Sequence, residues 1–227
     1  MPEEPLIKRA VAFFDGQNLF HSAKTAFGYS FPNYDPVALT DAICAAKGWK
    51  NVGVRFYTGI PSASDNSFWN HFWMAKGAQL GREGVNVFTR ALRYRNKSVK
   101  LPDGNTHTYL DGDEKGIDVR LALDVVGQAN SNSLDVALIF SRDQDLSEVA
   151  DEIREIAQLQ RRWIKVASAY PCSPAVPHFK GVQKTDWVRI DRVTYDNCID
   201  TRDYRPKLAP LQVQTSNPST DMSDPAT

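Results

Sequence analysis

Four aspartates carry the chemistry this sequence offers. Asp15 ends an apolar run, Val11-Ala12-Phe13-Phe14. Asp143 and Asp145 follow a second run, Val136-Ala137-Leu138-Ile139-Phe140, after the link Ser141-Arg142. Asp118 lies between them in the chain, at the start of the amphipathic segment Gly116-Ile117-Asp118-Val119. Uninterrupted apolar runs read as strands buried on both faces, hence a parallel sheet. Ligands of such sheets bind at the carboxyl ends of the strands, so acids distant in the chain meet at one sheet edge. Carboxylates brought together repel one another, which a cation or a shared proton relieves. Hard oxygen donors select magnesium or manganese over zinc. One or two such ions, about 4 Å apart, would activate water and stabilise in-line displacement at phosphorus.

Each residue also has an ordinary structural use. Asp15 can cap the helix that follows it, and Asp145 can cap one beginning at Leu146. Asp118 suits the positive end of its helix whatever else it does. Asn18 can hold a carboxylate or a phosphate through its amide, or simply make a turn. Lys115 can neutralise a phosphate, pair with an acid, or remain a solvated charge. Ser141 can orient Asp143 or satisfy turn backbone. Arg142 stands directly beside the acids, where it can bind a substrate phosphate or crowd the metal.

The elements that must position these residues alternate. Residues 9–15 predict a strand, 17–27 a helix, and 35–47 a second helix capped by Asp35-Pro36 and stopped by Gly48. A strand over 51–59 leads to a long helix, capped by Ser64 or Asp65 and running to about Gly81. Further strands are expected over 85–92, 134–140 and 164–169, with an edge strand over 186–193. Helices are expected over 117–130 and 146–160. Between 93 and 114, two alternating runs around Pro102-Asp103-Gly104-Asn105 predict a hairpin. The whole is an α/β chain, a three-layer α/β/α sandwich with a mostly parallel central sheet and a β-hairpin insertion. It reads as one domain over 8–200 and a polar tail over 206–227 that has no apolar face and is expected to be disordered.

Of 227 residues, 42% are hydrophobic, enough for a core without disulfides. Lysine plus arginine number 27 and aspartate plus glutamate 27, so net charge argues for no particular partner. Cys44, Cys172 and Cys198 include no C-x-x-C pair, and His21, His71, His107 and His178 have no partner at ligand spacing, which argues against zinc. The odd cysteine count and a start without a secretory signal predict a cytoplasmic protein. No run approaches the roughly 20 apolar residues of a membrane span.

Arg90, Arg93, Tyr94, Arg95, Lys97 and Lys100 form a basic stretch with one aromatic. Arg93 and Arg95 can grip phosphates while Tyr94 stacks a base, or the stretch is an ordinary charged hairpin. Each true phosphate contact would add about one unit to the salt dependence of binding. Phe68, Trp69, Phe72 and Trp73 recur at helical spacing, which marks a buried face more often than a stacking platform.

Three segments resemble the signature stretches of NYN domains, within the PIN-like nuclease superfamily. They are Phe14-Asp15-Gly16-Gln17-Asn18, Glu114-Lys115-Gly116-Ile117-Asp118-Val119 and Ser141-Arg142-Asp143-Gln144-Asp145-Leu146. The resemblance spans about 8–195. It implies a PIN-like fold, a cytoplasmic setting and endoribonuclease chemistry dependent on Mg2+ or Mn2+. Asp15, Asp118, Asp143 and Asp145 would form the acidic cluster, assisted by Asn18. The sequence departs from many relatives at Arg142, where a small residue is usual, and at Leu146, often aromatic.

Two other readings stand beside hydrolysis of RNA. One is an RNA-binding or regulatory module that keeps the fold with little or no catalysis. The other is phosphoryl transfer to a small molecule or to aspartate; the Asp143-x-Asp145 pair lies late in the chain, without the threonine expected of haloacid-dehalogenase-like enzymes. No G-x-x-x-x-G-K-[ST] or G-x-G-x-x-G segment points to a nucleotide cofactor. The expected partner is RNA, single-stranded ahead of duplex, with self-association left open.

Overall fold

The computed structural model describes residues 2–101, 104–113 and 116–206, with the side chains of 93–97 and 109–113 outside that description. Lys115, the Pro102-Asp103 turn and the expected tail from 207 onward therefore lie outside the described residues. Six strands form one parallel sheet. They are β1 (Lys8–Asp15), β2 (Trp49–Ile60), β3 (Asn86–Ala91), β6 (Val136–Phe140), β7 (Lys165–Pro171) and β8 (Asp186–Ile190). Their order is β3-β2-β1-β6-β7-β8. The central pair β1 and β6 is the most apolar, and every residue of β6 is buried.

Side-chain alternation assigns the layers. Ala12, Phe14, Val54, Phe56, Leu138 and Phe140 face one core. Into that core α1 (Gly16–Phe27) sends Leu19 and Ala23, α2 (Pro36–Lys47) sends Leu39 and Ile43, and α3 (Ser67–Arg82) sends Phe72 and Leu80. Their neighbours Val11, Phe13, Tyr57, Ala137 and Ile139 face the other core, with α4 (Ile117–Asn130) and α5 (Ser147–Leu159). The three-layer architecture follows from that period of two. Among the described residues, no helix is long and apolar enough to cross a membrane.

Local signals set the helix ends. Asp35 accepts from the amides of Val37 (2.8 Å) and Ala38 (3.1 Å), and Gly48 closes α2 at φ +66°. The expected cap of α3 shifts: Asn66, not Ser64 or Asp65, accepts from Trp69 N at 3.1 Å. Asp65 instead takes the Ser62 hydroxyl, 2.6 Å away, in the preceding turn. The hairpin pairs β4 (Arg93–Lys100) with β5 (Thr106–Asp113) as a separate antiparallel sheet. Its register sets Asp113 opposite Arg93 and Asp111 opposite Arg95.

Beyond β8 the chain adds a short helix, α6 (Arg192–Asp196), and a return strap that sequence periodicity does not announce. The strap supplies Asp200 to a fully buried lysine, Lys76, whose Nζ is 3.3 Å from Asp200 Oδ2 and 2.9 Å from the Tyr34 carbonyl. Burial pulls the Lys76 ammonium down while the Asp200 charge holds it up. The Tyr204 hydroxyl donates to the same Asp200 oxygen and Arg202 Nε to the other, each at 2.7 Å.

Candidate functional site

The sheet reverses its winding between β1 and β6. The helix after β1 packs into one core and the helix after β6 into the other, so a crevice opens at the carboxyl ends of these two neighbours. Phe14 pairs with Phe140 in register, their rings stacked 3.8 Å apart. Asp15 and Ser141 are the next residues along each strand, and they meet: Ser141 Oγ donates to Asp15 Oδ2 at 3.1 Å.

Asp15 is nearly buried, at 4% exposure, and its other oxygen accepts from Asn18 N at 3.0 Å. It is thus the cap of α1 and also a buried acid held by two donors. Gly16 makes this turn possible, because a Cβ there would stand 2.6 Å from Phe56 Cζ. The buried Tyr34 hydroxyl fixes the same turn through the Gly16 carbonyl at 2.8 Å. Asn18 turns its side-chain oxygen to Arg142 N, 3.0 Å away, so it ties the two strand ends together.

The Ser141 hydroxyl also accepts from Asp143 N at 3.1 Å. Asp143 Oδ1 then accepts from Asp145 N at 3.0 Å and caps a 3-10 turn, Gln144–Leu146, that runs into α5. The capping use that sequence offers to Asp145 therefore falls to Asp143, and the Asp145 side chain is exposed. The extended backbone at Asp143 suits the cap conformation.

Asp118 enters from the other layer. It lies in the first turn of α4 behind Gly116, whose φ is +83° and which supplies no side-chain cap. Burial raises the Asp118 carboxyl above the ordinary carboxylate range, and the charges of Asp143 and Asp145 raise it further. Asp118 therefore feels the charges of Asp143 and Asp145 from another element, and the Ser141 hydroxyl links the Asp15 carboxylate to the Asp143 backbone amide. Among the described residues, no three carboxylate, imidazole or thiolate groups are gathered as direct ligands of one ion. The donor chemistry still fits a hard, hydrated cation: magnesium keeps several waters and takes only one or two carboxylates directly.

Arg142 does not join the acids. Its guanidinium carbon sits 3.4 Å over the Phe179 ring, and Nε donates to the Lys180 carbonyl at 3.1 Å. Its side chain therefore serves the loop after β7. Gln144 holds the same loop, donating to the Gly181 carbonyl and accepting from Gln183 N, each at 3.1 Å. Ser168 Oγ bridges as well, giving to the Ser141 carbonyl at 2.8 Å and taking from Val182 N at 3.1 Å. Sequence gives no sign of Ser168 or Gln144 as supports, because their partners are distant in the chain. Arg93 and Arg95 lie on β4, away from the six-stranded sheet in pairing.

A doubly wound parallel sheet with acids at its switch point defines the class. The NYN domain family matches residues 9–160, and the chain belongs to it, within the PIN-like superfamily. Members of this family are generally nucleases acting on RNA, and such nucleases typically use divalent metals. No curated protein matches the chain. Among solved structures, a protein of unknown function from Vibrio parahaemolyticus is 17% identical, covering 87% of this chain and 99% of that one, with a TM-score of 0.46. MurG from Acinetobacter baumannii is 9% identical over 80% of this chain and 45% of its own, with a TM-score of 0.32. Ribokinase from Giardia lamblia is 8% identical over 73% and 50%, with a TM-score of 0.34. At these scores neither their folds nor their activities transfer to this chain.

Proposed function

We propose that the chain is a metal-dependent endoribonuclease that hydrolyses RNA phosphodiester bonds within a domain spanning 8–200. One observation carries the reading: burial, and after it the charges of Asp143 and Asp145, raise the Asp118 carboxyl above its ordinary range, while Ser141 ties Asp15 to the same strand ends that lead to Asp143. Acids gathered at the carboxyl edge of such a sheet are what a cation resolves. Asp15, Asp118, Asp143 and Asp145 would hold Mg2+ or Mn2+, partly through water. When bound, the ion supplies an activated water and neutralises charge at the scissile phosphate.

The chain's own residues perform the positioning. Asn18 N and Ser141 Oγ fix the two Asp15 oxygens, so that carboxylate does not reorganise as charge builds. Ser141 couples Asp15 to the Asp143 backbone, which keeps the two strand ends at one spacing. The Asn18 and Ser141 side chains thus border the place a phosphate would occupy, and Lys115, next to Gly116 in the sequence, is the cation assigned to it. Cleavage leaves a 5′-phosphate and a 3′-hydroxyl. Cys44, Cys172 and Cys198 are unpaired, as suits a cytoplasmic protein.

A second reading is a module that binds RNA without cutting it. It draws on the lack, among the described residues, of three direct ligands around one point. Single-stranded RNA incubated with manganese, magnesium or chelator separates the two. The enzyme cuts only with metal, and Asp143→Asn abolishes cutting while RNA affinity persists. A wild-type protein that retains RNA with no metal-dependent cutting refutes the nuclease reading.

A further inference from the structure

The same sheet edge carries a second feature, one strand over from the acids. A cavity of about 300 Å³ is lined by Gln17, Phe20, Lys24, Asn66, Trp69 and Trp73. Its aromatic side is built: Phe20 and Trp69 have ring centroids 6.0 Å apart, tilted by 50°. Trp73 is buried at 4% exposure, while Trp69 is only half-buried and keeps part of its surface free. Phe72 and Trp73 are core, as the helical spacing predicts; Trp69 packs against the same core and, with Trp73, also lines the cavity, and Phe68 is exposed. Polar groups frame the other side. Gln17 is pinned to the Gly59 carbonyl at 3.2 Å, and Asn66 is held by its cap bond to Trp69 N at 3.1 Å. Lys24 is exposed, on the same helix as Gln17 and Phe20.

Placement ties this cavity to the acids. Pro61 and Leu92, which also line it, follow β2 and β3 directly, so it lies at the carboxyl edge that Asp15 shares. Neighbouring strands are about 5 Å apart, which puts the cavity on the order of one to two strand spacings from the end of β1. Helix α1 links the two, being capped by Asp15 and lining the cavity with Gln17, Phe20 and Lys24. A space this size is at the small end of ligand sites; it takes a single ring system and excludes a base-paired one.

Resting on the RNA reading of the acidic site, we infer that this cavity receives one unpaired nucleobase of the strand being cut, stacked on Trp69, with Lys24 at the adjoining phosphate. Gln17 and Asn66 meet the edge of the base. His21 also lines the cavity, and burial, with the neighbouring Lys24 charge, pulls its imidazole below the ordinary value. Substrate choice follows: single strands enter and duplexes do not, because a paired base has no free face to stack.

The test is tryptophan fluorescence on the Asp15→Asn protein in chelator, titrated with a short single-stranded RNA. Binding is thereby read without cleavage. The expected result is quenching by the single strand, little by the same sequence as a duplex, and loss of quenching when the oligonucleotide is abasic. Trp69→Leu then weakens affinity roughly tenfold, as does removal of one stacked base, and Lys24→Ala lowers the salt slope by about one unit. Equal quenching by abasic RNA or by duplex overturns the proposal, and so does equal affinity of the Trp69→Leu and Lys24→Ala proteins with the parent. Because the abasic comparison uses unaltered Trp69, a misfolded variant does not rescue the idea. Stronger binding of a free mononucleotide than of the oligonucleotide also overturns it, by making this a nucleotide site. Base-dependent quenching in a protein that never cleaves RNA leaves the cavity assignment standing and sinks the nuclease reading; cleavage without base-dependent quenching does the reverse.

Discussion

Ser141→Ala removes one oxygen and two interactions. Ser141 is 1% exposed, its hydroxyl donates to Asp15 Oδ2 at 3.1 Å, and it accepts from Asp143 N at 3.1 Å. A bond to a charged group contributes about 1.5–3 kcal/mol and a neutral one about 0.5–1.5 kcal/mol. No water readily replaces the donor at so buried an oxygen, so the sum falls near 3 kcal/mol, roughly 6–12 °C in Tm for a domain of this size. Activity should fall independently of stability. Asp15 keeps its Asn18 amide bond but loses the contact that sets the position of its second oxygen. Losing such a support behind a metal-binding carboxylate costs about 10–100-fold. The assay pairs thermal unfolding with the rate of single-stranded RNA cleavage in manganese, both well below the variant's Tm. Cleavage at the wild-type rate from a properly destabilised Ser141→Ala protein would refute the idea that Asp15 works through this hydroxyl. Ser141→Ala should also add little to the defect of Asp15→Asn, because the two act as one unit.

The remaining predictions concern other parts of the frame. The Asp118 carboxyl is raised in the folded state, so protonated Asp118 contributes stability that is full below the unfolded value and lost as pH rises through the folded one. Asp118→Asn should therefore gain Tm over wild type on going from pH 3 to 7 in chelator, at roughly neutral pH by a few degrees; a difference that is flat with pH contradicts the crowding of acids. Lys76→Met leaves Asp200 buried with only Arg202 and Tyr204, costing about 3 kcal/mol, the low end for a broken buried pair. Adding Asp200→Asn should recover part of it in chemical denaturation, and a double variant worse than the sum would oppose this account. Arg142→Ala should speed limited proteolysis within 173–181, because the guanidinium packs on Phe179, while RNA affinity changes little; a large loss of affinity would return Arg142 to the substrate.

The layers were legible because strands buried on both faces leave continuous apolar runs, and β1 and β6 are such runs. Asp35-Pro36 and Gly48 were legible because capping is local chemistry. Ser64, Asp65 and Asn66 are three adjacent cap-forming residues, and only the backbone angles choose Asn66. The same holds for Asp143 over Asp145. Long-range pairings leave no local trace. Nothing near Lys76 announces Asp200, 124 positions away, and nothing near Arg142 announces Phe179. Sequence pairs Ser141 with Asp143, its neighbour; the bond to Asp15 exists only because β1 and β6 adjoin.

Manganese binding, measured by calorimetry on the wild type and on Asp143→Asn, tests the central claim most directly. If Asp15, Asp118, Asp143 and Asp145 share a cation, the wild type binds manganese with a defined stoichiometry and Asp143→Asn weakens it at least tenfold, about 1.4 kcal/mol. No saturable binding by the wild type, or equal affinity in the variant, would contradict it.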